Sequence, residues 1–316
     1  MLLQLLLFSV GLAILVWGAD LFIKGAGGIA LRFGISPFVV GMVLVGFGTS
    51  LPELAVNITA VVEQRLDLAV GNVVGSNIAN VALILGVAAL VSPLLLGRRV
   101  MRVELPLLVL VSLGFWALVA DGSLGRVDAG LLLLGFAGLM VLIARGARSE
   151  PIAVGEELGI EDAAARAATW PHAWRLLLGL PLLLGGSKLM VDAAVGLALS
   201  WGVSELVIGL TVVAVGTSLP ELAASVTAGL RGQAEIAVGN VVGSCLFNLL
   251  LILGVTAAVQ PLPVAGRMVW LEVPLMILLA VALYPLGGRH HRLGRVAGAA
   301  LVLVFGGYLA WQFLAG

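Results

Sequence analysis

The sequence predicts an all-α integral membrane protein with ten transmembrane helices arranged as two inverted five-helix repeats. Three observations carry that expectation. The chain of 316 residues is 61% hydrophobic and 11% charged, whereas soluble domains carry about 25% charged residues. Its long apolar runs fall into two sets of five. The segments GTSLPELA (Gly48–Ala55) and AVGNVVGS (Ala69–Ser76) recur 168 residues later at Gly216–Ala223 and Ala237–Ser244, and the same shift carries Asn80, Glu104 and Pro106 onto Asn248, Glu272 and Pro274. Polar segments duplicated at matched places of two apolar halves are the sequence sign of a transporter built from repeats.

The first run, 2–31, has the apolar look of a secretion signal. It lacks a basic start and a small-residue cleavage site and continues into further apolar sequence, so it is expected to be the first span. Runs at 36–62, 68–91, 103–120 and 127–145 complete a first repeat over 1–145. Runs at 173–200, 204–230, 235–259, 269–286 and 296–315 form a second over 173–316. Each has the length a bilayer demands, roughly 17–25 residues or more when tilted. Between them, residues 146–172 carry Glu150, Glu156, Glu157, Glu161 and Asp162. That stretch has no EF-hand spacing and is expected to be a solvated cytoplasmic linker rather than a calcium sensor.

An odd number of spans per repeat turns the second copy over, so the two motifs enter from opposite sides. Arginines assign the sides: twelve fall on one face, and only Arg65, Arg126 and Arg267 on the other. By the positive-inside rule both termini are then non-cytoplasmic. Forty-two glycines suit close helix packing in lipid. A net charge of zero offers nothing to nucleic acid, and a single cysteine, Cys245, excludes an internal disulfide. Cys245, His172, His290 and His291 make no zinc-type spacing.

The repeated motif supplies the chemistry. A proline within a helix leaves the carbonyl four residues earlier without its donor, so Pro52 and Pro220 loosen the turns near Gly46–Ser50 and Ala214–Ser218. In lipid a released carbonyl needs another partner, and a cation is one. Thr49 and Glu53 share a helix face, with Ser50 beside them; Ser76 and Asn80 share another. Thr217, Ser218, Glu221, Ser244 and Asn248 repeat the set. The inventory is all oxygen, as hard cations require, with about six to eight oxygens for calcium. Serine, threonine and asparagine also serve as helix-packing glue. That reading does not cover Glu53 and Glu221, which have no basic partner at a matching spacing and together would neutralise a divalent ion.

The remaining intramembrane charges have simpler readings. Asp20 and Lys24 are spaced to pair along one helix face, and Lys188 and Asp192 occupy the matched positions with signs exchanged. Glu104 and Glu272 lie beside Arg102 and Arg267 and are expected as interfacial anchors. His290 and His291 are expected to be solvated. No nucleophile–base pair marks a membrane enzyme.

At these residues the chain resembles the cation/calcium antiporter superfamily, most closely its prokaryotic sodium/calcium exchanger branch. The paired GTSLPE and GNVVGS segments look like that family's alpha repeats, and the likeness covers nearly the whole chain. The resemblance implies exchange of several Na+ for one Ca2+ by alternating access in a prokaryotic inner membrane. It also implies a site built by the second, third, seventh and eighth helices, with the first and sixth sliding across them. Carried onto this sequence, the cation set is Thr49, Ser50, Glu53, Ser76, Asn80, Thr217, Ser218, Glu221, Ser244 and Asn248, with main-chain oxygens of Gly46 and Ala214. Ca2+ would centre on Glu53 and Glu221 with the carbonyls of Thr49 and Thr217. Several relatives carry Asp where this chain has Asn248, which argues against potassium co-transport. The acid that follows the GN pair in the proton-coupled branch is missing after Asn72 and Asn240. The implied partners are Na+, Ca2+ and the bilayer, with no cofactor and no protein partner. A calcium/proton antiporter and a passive cation channel are the alternatives.

Overall fold

The computed structural model describes residues 2–147, 170–201, 214–287 and 291–315. They form an all-helical bundle: α1 (Leu2–Phe33), α2 (Pro37–Thr49), α3 (Leu51–Val62), α4 (Leu66–Val91), α5 (Val100–Leu118), α6 (Arg126–Ala147), α7 (Trp170–Ser200), α8 (Ala214–Gly216), α9 (Leu219–Leu230), α10 (Ala234–Val259), α11 (Met268–Gly287) and α12 (Arg295–Ala315). Eight of these are long and apolar enough to cross a membrane, and the pair α2–α3, bent by 40° at Ser50, makes a ninth candidate. Part of the run expected at 204–230 lies outside the described residues, as does most of the linker expected at 146–172. His172, expected at the linker's end, lies in the first turn of α7 and is buried.

The exterior is apolar. Leu110 and Leu278, at matched positions, are 66% and 62% exposed, and Leu134 and Leu303 still more so; such a surface is stable only against lipid. At the centre stand α4 and α10. Their most apolar stretches are 78% and 83% buried, against 17–39% for the other spans. These are the helices that carry the AVGNVVGS segments.

Two packing devices set the geometry. Helices α1 and α7 touch backbone to backbone along their length. A Cβ on Gly11 would sit 2.7 Å from the Met190 amide nitrogen, and one on Gly179 would sit 2.5 Å from that of Phe22. Helix α10 crosses α2 as closely, with a Cβ on Gly243 meeting the Met42 carbonyl at 2.5 Å. Small residues make this approach possible, and in lipid close packing is a main source of helix association.

Short strands tie the halves together: β1 (Leu94–Leu95) pairs antiparallel with β4 (Arg292–Leu293), and β2 (Ser123–Leu124) with β3 (Leu262–Pro263). Each ladder joins one strand from each half of the chain. Wider π-type turns interrupt the helices at Gly41–Gly46, Asn80–Ile84, Val100–Glu104, Asn248–Ile252 and Met268–Glu272. The last four form two pairs in the 168-residue register. No propensity in the sequence announces them. Such bulges concentrate at functional places, and here two begin at Asn80 and Asn248.

Glu104 has a different arginine from the one expected, whereas Glu272 pairs with Arg267 as expected. Both are buried, at 4% and 8% exposure. Glu104 accepts from Arg99 Nε at 2.7 Å, not from the exposed Arg102. Glu272 lies 3.5 Å from Arg267 and accepts from Gln312 Nε2 at 2.9 Å. A buried carboxylate needs such partners, because desolvating an unpaired charge is costly. The expected solvation of His291 is also incomplete: it is half-buried, and its carbonyl accepts from Leu96 N–H at 2.6 Å. His290 lies outside the described residues. The intrahelical pairs form as expected, Lys24–Asp20 at 2.7 Å and Lys188–Asp192 at 3.0 Å.

Candidate functional site

The GTSLPE segments break their helix at Ser50 in one copy and at Thr217–Ser218 in the other. Ser50 adopts φ −81°, ψ 4° and Ser218 φ −90°, ψ 5°, and a new helix starts at the next residue with proline in its first turn. Proline is tolerated there because the first N–H groups have no intrahelical partner. Glu53 and Glu221 then stand in the first turn, where the helix dipole favours negative charge. The break therefore places a carboxylate in the middle of a span beside the carbonyl end of the preceding helix, an arrangement that attracts cations.

Glu53 and Glu221 are each 1% exposed. Across the halves, Ser50 Oγ donates to Glu221 Oε1 at 3.3 Å. Thr49 Oγ1 lies within donating reach of the Val45 and Gly46 carbonyls, at 3.1 and 3.3 Å, and of Asn240 Oδ1 at 3.1 Å. Ser244 Oγ donates to the Gly46 carbonyl at 3.3 Å, and that carbonyl also accepts the Ser50 N–H at 3.1 Å. The Gly46 oxygen is thus shared among protein donors. The hydroxyls that donate to it keep their lone pairs for a cation.

Several buried polar atoms have no partner among the described residues: Glu53 Oε2, Glu221 Oε2, Ser218 Oγ, Asn80 Oδ1 and Asn248 Oδ1. Burying an acceptor unpaired costs about 1–3 kcal/mol, more for a charge. Two carboxylates and two amides in that condition call for a positively charged ligand. Among the described residues no group of three or more His, Cys, Asp or Glu could hold a metal. The donors are instead two carboxylates among neutral oxygens, suited to hard cations such as Ca2+ and Na+.

Of the remaining expected residues, Ser76 is buried, Thr217 is half-buried, and Ala214 begins α8. A second tier of amides was missed by sequence reasoning. Asn240 Nδ2 donates to Ser225 Oγ at 2.8 Å and to the Glu221 carbonyl at 3.2 Å, while its oxygen faces Thr49. In the other half Asn72 Nδ2 donates to Asn57 Oδ1 at 2.9 Å. Asn72 and Asn240 lie inside the duplicated AVGNVVGS, and Asn57 matches Ser225 in the same register. The repeat itself was the signal that could have found them.

An apolar helical bundle with a bent span and two glutamates buried among oxygens has the architecture of a membrane transporter. The chain belongs to the sodium/calcium exchanger protein family, whose model matches residues 3–145 and 171–314. It is 39% identical to the inner membrane protein YrbG of Escherichia coli K12, over 98% of this chain and 96% of that one. It is 31% identical to the sodium/calcium exchanger MaX1 of Methanosarcina acetivorans, over 98% of each. Its fold is similar to that of the sodium-calcium exchanger NCX_Mj soaked with 2.5 mM Na+ and 10 mM Sr2+: TM-score 0.85, 28% identity, 98% of each chain.

Proposed function

We propose that this protein is a sodium/calcium antiporter that works by alternating access between two inverted five-helix repeats, 1–145 and 173–316. Ca2+ is carried between Glu53 and Glu221, and Na+ uses the same shell of Thr49, Ser50, Ser76, Asn80, Thr217, Ser218, Ser244 and Asn248 with the carbonyls of Gly46 and Ala214. The observation that carries this reading is the unpartnered oxygen on each of the two buried glutamates. The strand ladders between halves and the matched π-type turns support the repeat arrangement. MaX1 and NCX_Mj are themselves named sodium/calcium exchangers.

In proteoliposomes loaded with Na+, an outward sodium gradient is expected to drive Ca2+ uptake, and Glu53→Gln or Glu221→Gln to abolish it. Uptake that ignores sodium and follows a pH gradient selects proton coupling instead. Conduction down a single gradient without counter-transport selects a channel. The arginine distribution supports non-cytoplasmic termini in an inner membrane; a C-terminal alkaline phosphatase fusion is then active in intact cells, and a well-expressed but inactive fusion reverses the assignment.

A further inference from the structure

Asn248 and Asn80 occupy matched positions in the repeats, and each is backed by a side chain from the other half. Asn248 Nδ2 donates to Asn77 Oδ1 at 3.0 Å, and Asn77 Nδ2 donates in turn to the Cys245 carbonyl at 3.2 Å. The counterpart of Asn77 under the 168-residue shift is Cys245, whose side chain reaches Asn80 and whose Sγ lies 4.0 Å from the Asn77 carbonyl. The two halves therefore contact each other through matched but chemically different residues.

The polarity of this chain of bonds matters. The Cys245 carbonyl can only accept, so it holds Asn77 with its NH2 group outward and its oxygen toward Asn248. That oxygen in turn can only accept, so it takes the Asn248 NH2. The remaining Asn248 atom, Oδ1, is left buried without a protein partner. An asparagine is a useful cation ligand only oxygen-first; turned over, its NH2 would repel the ion. We propose that Asn77 is a positioning residue that fixes the Asn248 amide with its oxygen toward the transported cation. This rests on the site centred on Glu53 and Glu221. It explains how a neutral amide serves at a place where no charge enforces orientation.

The test is a double-substitution cycle read as ⁴⁵Ca2+ binding to the purified full chain. Removing an outer partner of a metal ligand weakens affinity about 10–100-fold, and Asn77→Ala is expected to lie at the lower end of that range. In an Asn248→Asp chain the same substitution is expected to change affinity less than about twofold, because both terminal atoms of aspartate are oxygens and no orientation needs enforcing. Equal losses in the two backgrounds overturn the proposal and reduce Asn77 to packing. Asn77→Leu, of similar volume, repeats the cycle if alanine fails to fold. Binding lost in Glu53→Gln but unchanged in Asn77→Ala refutes this inference alone; binding retained in both glutamate variants refutes the site.

The charged residues of the first and sixth expected spans break the repeat symmetry in a different way. The shift that carries Asp20 onto Lys188 and Lys24 onto Asp192 also carries Glu63 onto Arg231, with the sign reversed each time. In the structure Arg231, just beyond α9, pairs with Asp20 of α1, and α1 packs along α9. The matched contact is open. Lys188 pairs within its own helix with Asp192 at 3.0 Å, Glu63 pairs with Arg65 at 3.4 Å, and α7 makes no comparable packing along α3.

The geometry points to two latches used in alternation: Asp20–Arg231 closed here, and Glu63–Lys188 closed when the repeats exchange conformations. Asp20→Cys with Arg231→Cys, and Glu63→Cys with Lys188→Cys, test this with a short polar bis-methanethiosulfonate, which forms a mixed disulfide with each thiol and expels methanesulfinate, is released by a reductant, and does not reach the buried Cys245. Each pair is expected to cross-link and to block transport reversibly, with the 20/231 yield falling in conditions that raise the 63/188 yield. A 63/188 pair that never cross-links in transporting protein, or two yields that rise together, overturns the proposal.

Discussion

Asn240 shows how much of the site depends on residues that would not touch an ion. Its amide spans Thr49 of one repeat and Ser225 and the Glu221 carbonyl of the other. Asn240→Ala takes the donor from the buried Ser225 hydroxyl, at about 1–3 kcal/mol. The expected outcome is a lower thermal midpoint in detergent together with weaker half-saturation by Ca2+; unchanged values in both assays would show that water replaces the amide. Glu53 and Glu221 were legible without coordinates, because an acid in an apolar span without a basic partner demands an explanation. Asn77 was not: its counterpart is a cysteine, so the repeat comparison passes over it. Its importance lies in a bond to a residue 171 positions away.

Helices α1 and α7 form the most intimate pair of elements. Gly11 and Gly18 are matched by Gly179 and Gly186, and all four face the backbone of the opposing helix. Gly18→Leu or Gly186→Leu must push the helices apart, and overpacking of this kind costs about 1–3 kcal/mol. Gly307 of α12 has no atom within 4 Å of a would-be Cβ, so Gly307→Ala serves as the neutral control. Thermal unfolding in detergent distinguishes them, and equal melting points would remove the close approach as a source of stability. The two spans were predicted from hydropathy, yet their contact was not. Glycine count alone signals close packing somewhere in the membrane, and the partner follows only from how the helices are laid down. The breaks at Ser50 and Ser218 were foreseeable, since proline states its own constraint locally. The π-type turns, two of which begin at Asn80 and Asn248, were not, because no residue type states them locally.

For the molecule taken whole, the membrane class, the duplication and the two intramembrane glutamates were legible in the order of the residues. These follow from local chemistry: hydropathy per residue, proline geometry and the cost of charge in lipid. Which polar groups meet depended on how the helices pack. The fold paired Glu104 with Arg99 rather than Arg102, joined the halves through antiparallel strand pairs, and coupled Asn248 to Asn77. It also broke the symmetry that the sequence proclaims, drawing Arg231 to Asp20 while leaving Glu63 and Lys188 apart. The physical reason is that two identical motifs in one chain need not occupy identical environments at one moment. Sequence specifies both members of each pair, whereas packing selects which of them are in contact.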